Sequence, residues 1–255
     1  VTAEKSPNPV ELVVKGTAGH GSVPLADNAI GRLSKALGRV ADWQPPMRLN
    51  DTTRTYFERL ATISAPAAAE RYNGLLNPEK TAAIQEYLRL HEPTHNSMLR
   101  TSISLNMVQG GYRVNVIPSL ATATLDIRAL PDENIEDFLA QLRRVINDPS
   151  IEMKGRGMYR PKAPPSAIDT PMFRAIETAQ RKVYPGLSTL PSMLTGATDM
   201  SFLRAKGVPS YGIGPMVDSE DIEKGFGPHS DQERLKEADL FRYSRFVWEI
   251  VTSMA

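Results

Sequence analysis

Apolar and polar side chains alternate along "ATATLDIRAL", residues 121–130. A period of two puts one class of side chain on each face of an extended strand. "RTSISLNMVQGG", from Arg100, alternates in the same way, and "YRVNVIPS" separates the two. Such a pair requires a half-buried sheet with helices on one side. Two segments suit that cover. "ADNAIGRLSKALGRVADW" spaces Ile30, Leu33, Leu37 and Val40 helically, with Asp27 or Asn28 as cap. "DENIEDFLAQLRRVIND" is a capped amphipathic helix. Val10 to Lys15 and "IEMKGRGMYR" supply a strand at each end.

The resulting order is strand, helix, insertion, two strands, helix, strand: an α/β unit of βαββαβ type, with residues 45–99 as a polar, mostly helical insertion. The breakers "QPP" and "HEP" bound that insertion, and an excursion over an active-site mouth or along a dimer contact is expected of it. "PKAPPSAIDTP" reads as the linker out of the unit. Beyond it, Pro171 to Tyr184 is a helix, "TLPSML" a strand, "DMSFLRAKG" a short helix, "VPSYGIG" a strand and 235–253 a closing helix. Domains are therefore expected at 1–160 and 161–255. The second is short for a self-sufficient α/β domain.

With 30 basic and 29 acidic residues among 255, charge gives no reason to expect nucleic acid or an anionic membrane as partner. No apolar run approaches the roughly 20 residues that cross a bilayer, and no signal-peptide pattern opens the sequence. The lack of cysteine excludes disulfides, thiolate metal sites and a cysteine nucleophile, and leaves the compartment open. Elbow, Walker and dinucleotide fingerprints are absent.

Histidine carries the remaining chemistry. His20 sits between glycines in "GTAGHGSVP", where a structural hydrogen bond in a tight turn serves as well as a catalytic role. His229, in "GFGPHSDQERL", has Glu233 four residues on; this suits a metal ligand with a second-shell carboxylate, or a loop histidine near a helix cap. His91 and His95 have metal-like spacing, but Pro93 lies between them, so "HEPTH" reads as a solvated loop.

"GTAGHGSVPLADNAI", "NVIPS…ATLDIRA", "TGATDMSFL" and "GPHSDQERL", in this order, resemble the dimerisation lid and C-terminal part of the co-catalytic zinc exopeptidases and amidohydrolases. Aminoacylase, glutamate carboxypeptidase, carnosinase, carboxypeptidase S and succinyl-diaminopimelate desuccinylase are members. The carboxypeptidase S-like members look closest. The resemblance implies a hydrolase of a small peptide or N-acyl amino acid. It implies two zinc ions, or another divalent metal, per complete site, and a homodimer formed through the lid. It also implies roles. His229 would be a metal ligand, and His20 would polarise the scissile carbonyl in the partner's site. Asn115 would be lent across the dimer, and Arg128 would hold the substrate carboxylate. Gly196, Ala197 and Thr198 would line the pocket, with alanine at 197 where members often carry a second glycine.

The remaining ligands of such a site are expected from an N-terminal half: a His-x-Asp after a strand, a bridging Asp and a Glu-Glu pair. No Glu-Glu occurs in this sequence, and its only His-x-Asp begins at His229. The chain is therefore expected to be the C-terminal portion of a longer enzyme, inactive alone. A non-catalytic dimerisation or binding module of the same descent is the alternative.

Overall fold

A computed structural model of the chain describes residues 1–157, 160–215, 219–227 and 229–255. The chain opens with β1 (Ala3–Glu4), β2 (Ser6–Pro7), β3 (Val10–Lys15) and β4 (Gly19–His20), followed by helix α1 (Ala29–Asp42). The insertion holds α2 (Asp51–Ile63), α3 (Pro66–Asn73), α4 (Thr81–His91) and α5 (Pro93–Met98). Strands β5 (Ser102–Gly110), β6 (Val116–Ile117) and β7 (Leu120–Ala129) precede α6 (Ile135–Ile146) and β8 (Glu152–Gly155). The last part holds α7 (Pro171–Val183), β9 (Met193–Leu194), α8 (Met200–Ala205), α9 (Ser219–Glu223) and α10 (Glu237–Met254).

The main sheet is antiparallel in the order β5, β7, β3, β8, with β2 continuing β3 along the same edge of β7. Alternation on β7 resolves as expected. Ala121, Ala123, Leu125, Ile127 and Ala129 are buried, and the polar residues between them face the other way. Leu33, Ala36 and Val40 of α1 and Phe138, Leu142 and Ile146 of α6 close that apolar face at helical spacing. The Asn28 side chain accepts from Gly31 N at 3.0 Å, and the Asn134 side chain from Glu136 N at 3.2 Å, so both covering helices are capped.

Helices α2 to α5 form a second core around Phe57, Tyr72, Leu75, Ile84, Leu88 and Leu99. "HEPTH" is not a solvated loop. Pro93 starts α5, where its missing N–H costs nothing. His95 is half-buried, with Nδ1 2.6 Å from Glu92 and Nε2 3.1 Å from the Tyr56 hydroxyl. The insertion packs on the last third of the chain: Arg59 donates to Glu177 on α7 at 2.7 Å, and Met98 and Tyr56 pack with Ala3 and Met193.

The first residues belong to two sheets. β1 runs parallel to β9, and Val1 exchanges backbone hydrogen bonds with Gly212 at 2.7 and 2.8 Å, whereas β2 pairs with β7. The crossover between the two units falls at Lys5. "VPSYGIG" departs from the sequence expectation: it forms no strand, and among the described residues its backbone pairs with an extended neighbour only where Gly212 meets Val1, while Ser210 is held by the side chains of Ser166 and Arg204. Helices α7 and α10 pack through Ala175, Ile176, Ala179, Phe246 and Ile250. The opposite side of α10 turns Phe241, Trp248 and Val251 to solvent, each more than half exposed.

Candidate active-site residues

β3 ends at Lys15 and the chain turns at Gly16, where a Cβ would lie 2.6 Å from the Asp27 carbonyl oxygen; only glycine fits. The turn delivers β4 alongside β6, with Gly19 opposite Ile117 and His20 opposite Val116. Gly21 N donates to Asn115 O at 2.8 Å, and a Cβ at Gly21 would sit 3.2 Å from the Val114 carbonyl oxygen. Gly21 therefore lets two backbones close on each other, and it brings His20 and Asn115 together at one tip of the sheet.

The His20 ring is exposed and oriented by Ser22. Ser22 N donates to Nδ1 at 3.2 Å, and the Ser22 hydroxyl lies 2.7 Å from the same atom. A nitrogen that accepts from a backbone N–H is the unprotonated one, so the neutral ring carries its proton on Nε2. Nε2 meets no protein partner among the described residues and faces outward as a donor.

Arg128 lies on the polar face of β7. Its Nε and Nη2 reach the two carboxylate oxygens of Asp126 at 2.8 and 2.9 Å, a side-on pair within its own strand that occupies one edge of the guanidinium.

The loop with Gly196, Ala197 and Thr198 follows β9. Thr198 donates to Glu4 twice, from its backbone N at 3.1 Å and its hydroxyl at 2.5 Å. Glu4 also pairs with Arg204 at 3.2 Å, both side chains under 5% exposed. Arg204 donates further to Ser210 O at 2.9 Å and to the Ser166 hydroxyl at 3.2 Å. Arg160 holds the Thr198 carbonyl from outside at 2.8 Å. Thr198 thus anchors its loop. At Gly196 a Cβ would make ordinary contact with Leu194 at 3.8 Å, so space there does not demand glycine.

His229 adopts a left-handed conformation with φ of 69°. Its neighbour Glu233 accepts from the His229 backbone N–H at 3.0 Å, and no helix joins the two; α10 begins at Glu237. Pro228, before it, lies outside the described residues. Among the described residues no group of three His, Cys, Asp or Glu side chains is placed to hold a metal, and no hydrogen bond or ring contact links His20 to His229.

Nothing local in the sequence marks Lys5. Its side chain is buried and donates to the Ser97 and Ser102 hydroxyls at 3.0 and 2.9 Å, with no carboxylate partner among the described residues. Burial, then the nearby charges of Arg100 and Arg128, lower its pKa to about 7. Between pH 7 and 10.5 the unfolded chain holds a proton here that the native chain lacks, so this group makes stability rise with pH across that window. Below pH 7 the cost is present in full. At that plateau Lys5→Met is expected to stabilise the chain by about 1–3 kcal/mol, within the bound of about 5 kcal/mol that such a shift sets. Urea melts of both proteins from pH 6 to 10 test this; a Met variant no more stable at pH 6 than at pH 10 relative to the parent defeats it.

The sequence profile of the peptidase dimerisation domain matches residues 2–154. The chain belongs to the M20 peptidase dimerisation family. A probable carboxypeptidase S-like protein of Dictyostelium discoideum is 26% identical over 91% of this chain and 44% of its own length. The N-fatty-acyl-amino acid synthase/hydrolase PM20D1 of Xenopus tropicalis is 27% identical over 98% of this chain and 48% of its own. The M20 family metallo-carboxypeptidase Sso-CP2 of Sulfolobus solfataricus shares the fold, with a TM-score of 0.60 at 14% identity over 98% of this chain and 63% of that one. The M20 chain described here thus spans about half the length of the curated relatives it matches, and those relatives are peptidases and amidohydrolases.

Proposed function

We propose that this M20 chain supplies the dimerisation lid (1–160) and the C-terminal catalytic portion (161–255) of a homodimeric metal-dependent hydrolase. Its substrate is a small peptide or an N-acyl amino acid cleaved at the amide bond. The observation that carries the reading is the lid tip, where His20 is fixed by Ser22 with its Nε2 donor outward beside Asn115.

His20 then donates from Nε2 to the carbonyl oxygen of a substrate bound in the partner subunit, where negative charge develops as the tetrahedral centre forms. A donor fixed in advance at such an oxygen is worth about 3 kcal/mol. Asn115 enters the same site beside it. Gly196, Ala197 and Thr198 form one wall, held by Glu4 and Arg160.

His229 is assigned as one ligand of a zinc pair. The described residues do not complete a ligand set around it. The other ligands are assigned to an N-terminal half. Two observations support that half: the curated relatives are about twice as long, and the open side of α10 exposes Phe241, Trp248 and Val251, an apolar face of the kind that packs against protein.

The test uses the full-length polypeptide. Metal analysis and hydrolysis of N-acyl amino acids and dipeptides are expected to be positive, and His229→Ala to lower metal content and turnover together. A dimer that hydrolyses neither class leaves the non-catalytic module as the reading.

A further inference from the structure

The resemblance gives Arg128 the substrate carboxylate, and its side chain leaves room for one. Asp126 occupies the Nε and Nη2 edge, whereas Nη1 meets no protein partner among the described residues. Ser102 stands directly opposite Arg128 across the β5–β7 ladder, and Pro7 stands opposite it on the other side. Directly opposed residues of antiparallel strands share a face, with Cβ atoms about 5 Å apart. Lys5 donates to the Ser102 hydroxyl at 2.9 Å. Its ammonium is therefore fixed on the polar face of the sheet next to Arg128, which is partly exposed while Lys5 is buried.

The charges around Lys5 are unbalanced. In its own segment Glu4 turns away to Arg204 and Thr198. From α5, Ser97 accepts the second hydrogen bond of Lys5, and His95 is taken up by Glu92 and Tyr56. Just before β5, the buried Arg100 donates to Gln44, Gln85 and the Pro45 carbonyl and meets no carboxylate among the described residues. From β7 come Arg128 and Asp126, already paired. Arg160 and Lys162 share a narrow cleft with Lys5 and bond to the Thr198 and Glu133 carbonyls. Asp199 is held by Arg160, and the Glu133 carboxylate by Thr101 and Arg48. Positive charge is thus in excess beside one open guanidinium edge. Burial and the charges of Arg100 and Arg128 bring the Lys5 pKa to about 7, so near neutral pH an arriving anion can decide its protonation.

We propose that Lys5 is a positioning residue for the substrate carboxylate, adding a second positive charge beside Arg128 and taking up a proton as that carboxylate binds. The proposal rests on the reading that Arg128 receives the carboxylate of a small peptide or N-acyl amino acid. A bound anion raises the pKa of Lys5 above about 7. Carboxylate binding is then strongest below pH 7, where Lys5 is charged before and after binding, and weakens as pH rises through the pKa of the bound state. A unit charge about 10 Å away at an effective dielectric near 20 changes affinity roughly tenfold.

The experiment uses the full-length dimer from about pH 6 to 9, a range in which a substrate carboxylate stays ionised. It compares an apolar N-acyl amino acid with its carboxamide counterpart, each read as KM or as a competition constant. Titration of His20 and of other groups that act on both compounds cancels in the acid-to-carboxamide ratio. In the parent that ratio is expected to rise roughly tenfold across the range, as binding of the acid weakens. In Lys5→Met it should stay flat at the high-pH value. In Lys5→Arg it should stay flat near the low-pH value, since a guanidinium keeps its charge. A purely structural Lys5 would shift both compounds alike and leave the slope in place. A parent ratio that ignores pH, or a slope that persists in Lys5→Met, overturns the proposal. Arg128→Ala separates the two levels: an acid-selective loss of affinity supports the reading of Arg128 whatever Lys5 does. Equal effects of Arg128→Ala on acid and carboxamide remove that reading and this proposal with it.

Discussion

Alanine in place of His20 is expected to lower turnover of the full-length dimer by two to three orders of magnitude, the usual loss on removing one fixed oxyanion donor. Folding and metal content should not change, because the ring is exposed and its contacts are confined to Ser22. The loss should appear in kcat, since the bond to the oxygen strengthens as charge develops. Ser22→Ala is a milder companion. It keeps the backbone donor to Nδ1 and removes only the hydroxyl, so a smaller loss is expected. Mixed dimers decide where the ring acts. One subunit carries His20→Ala and the other His229→Ala. If His20 serves its neighbour, the subunit with intact His229 borrows an intact His20, and half the sites work. If His20 serves its own subunit, each site lacks one residue, and the mixed dimer is as inactive as either single-mutant homodimer.

What could be read from the sequence was what repeats locally. Alternation on β7 and the helical spacing on α1 and α6 are periodic signals of burial, and the βαββαβ unit follows from them. Legibility fails where partners are remote. Glu4 and Thr198 meet 194 residues apart, and Lys5 meets Ser97 and Ser102 across the insertion, so no window of sequence contains either site. The tip is an intermediate case: the glycines around His20 announce a close approach, but only the β4–β6 pairing shows Asn115 to be its object. At "HEPTH" a proline disfavours a helix interior, yet Pro93 begins a helix, and the half-buried Glu92–His95–Tyr56 chain follows from that turn. For "VPSYGIG" the apolar residues suggest a ladder, but among the described residues the backbone pairing with an extended neighbour is confined to Gly212 and Val1.

Breaking the Glu4–Arg204 pair should produce a large loss of stability in this chain. Both side chains are buried, at 4% and 2% exposure, and burial works against the Arg204 charge while Glu4 favours it. Glu4→Ala leaves a buried guanidinium without its counter-charge and takes from Thr198 the acceptor of two hydrogen bonds. Removing one member of such a pair costs about 3–5 kcal/mol, against at most about 1 kcal/mol for an exposed ion pair. The measurement is urea unfolding of the chain itself. The double variant Glu4→Met, Arg204→Met discriminates the cause. If the penalty comes from an uncompensated charge, replacing both partners by apolar groups of similar length should return much of it, and the coupling between the two positions should exceed 1 kcal/mol. Arg204 also donates to Ser210 O and the Ser166 hydroxyl, so the double variant should fall short of full recovery. A Glu4→Ala chain that loses less than about 1 kcal/mol would show that the crossover strand, the 196–198 loop and α8 are not tied through this pair. In the full-length dimer the same substitution should also slow hydrolysis, because Thr198 then no longer holds the proposed pocket wall in place.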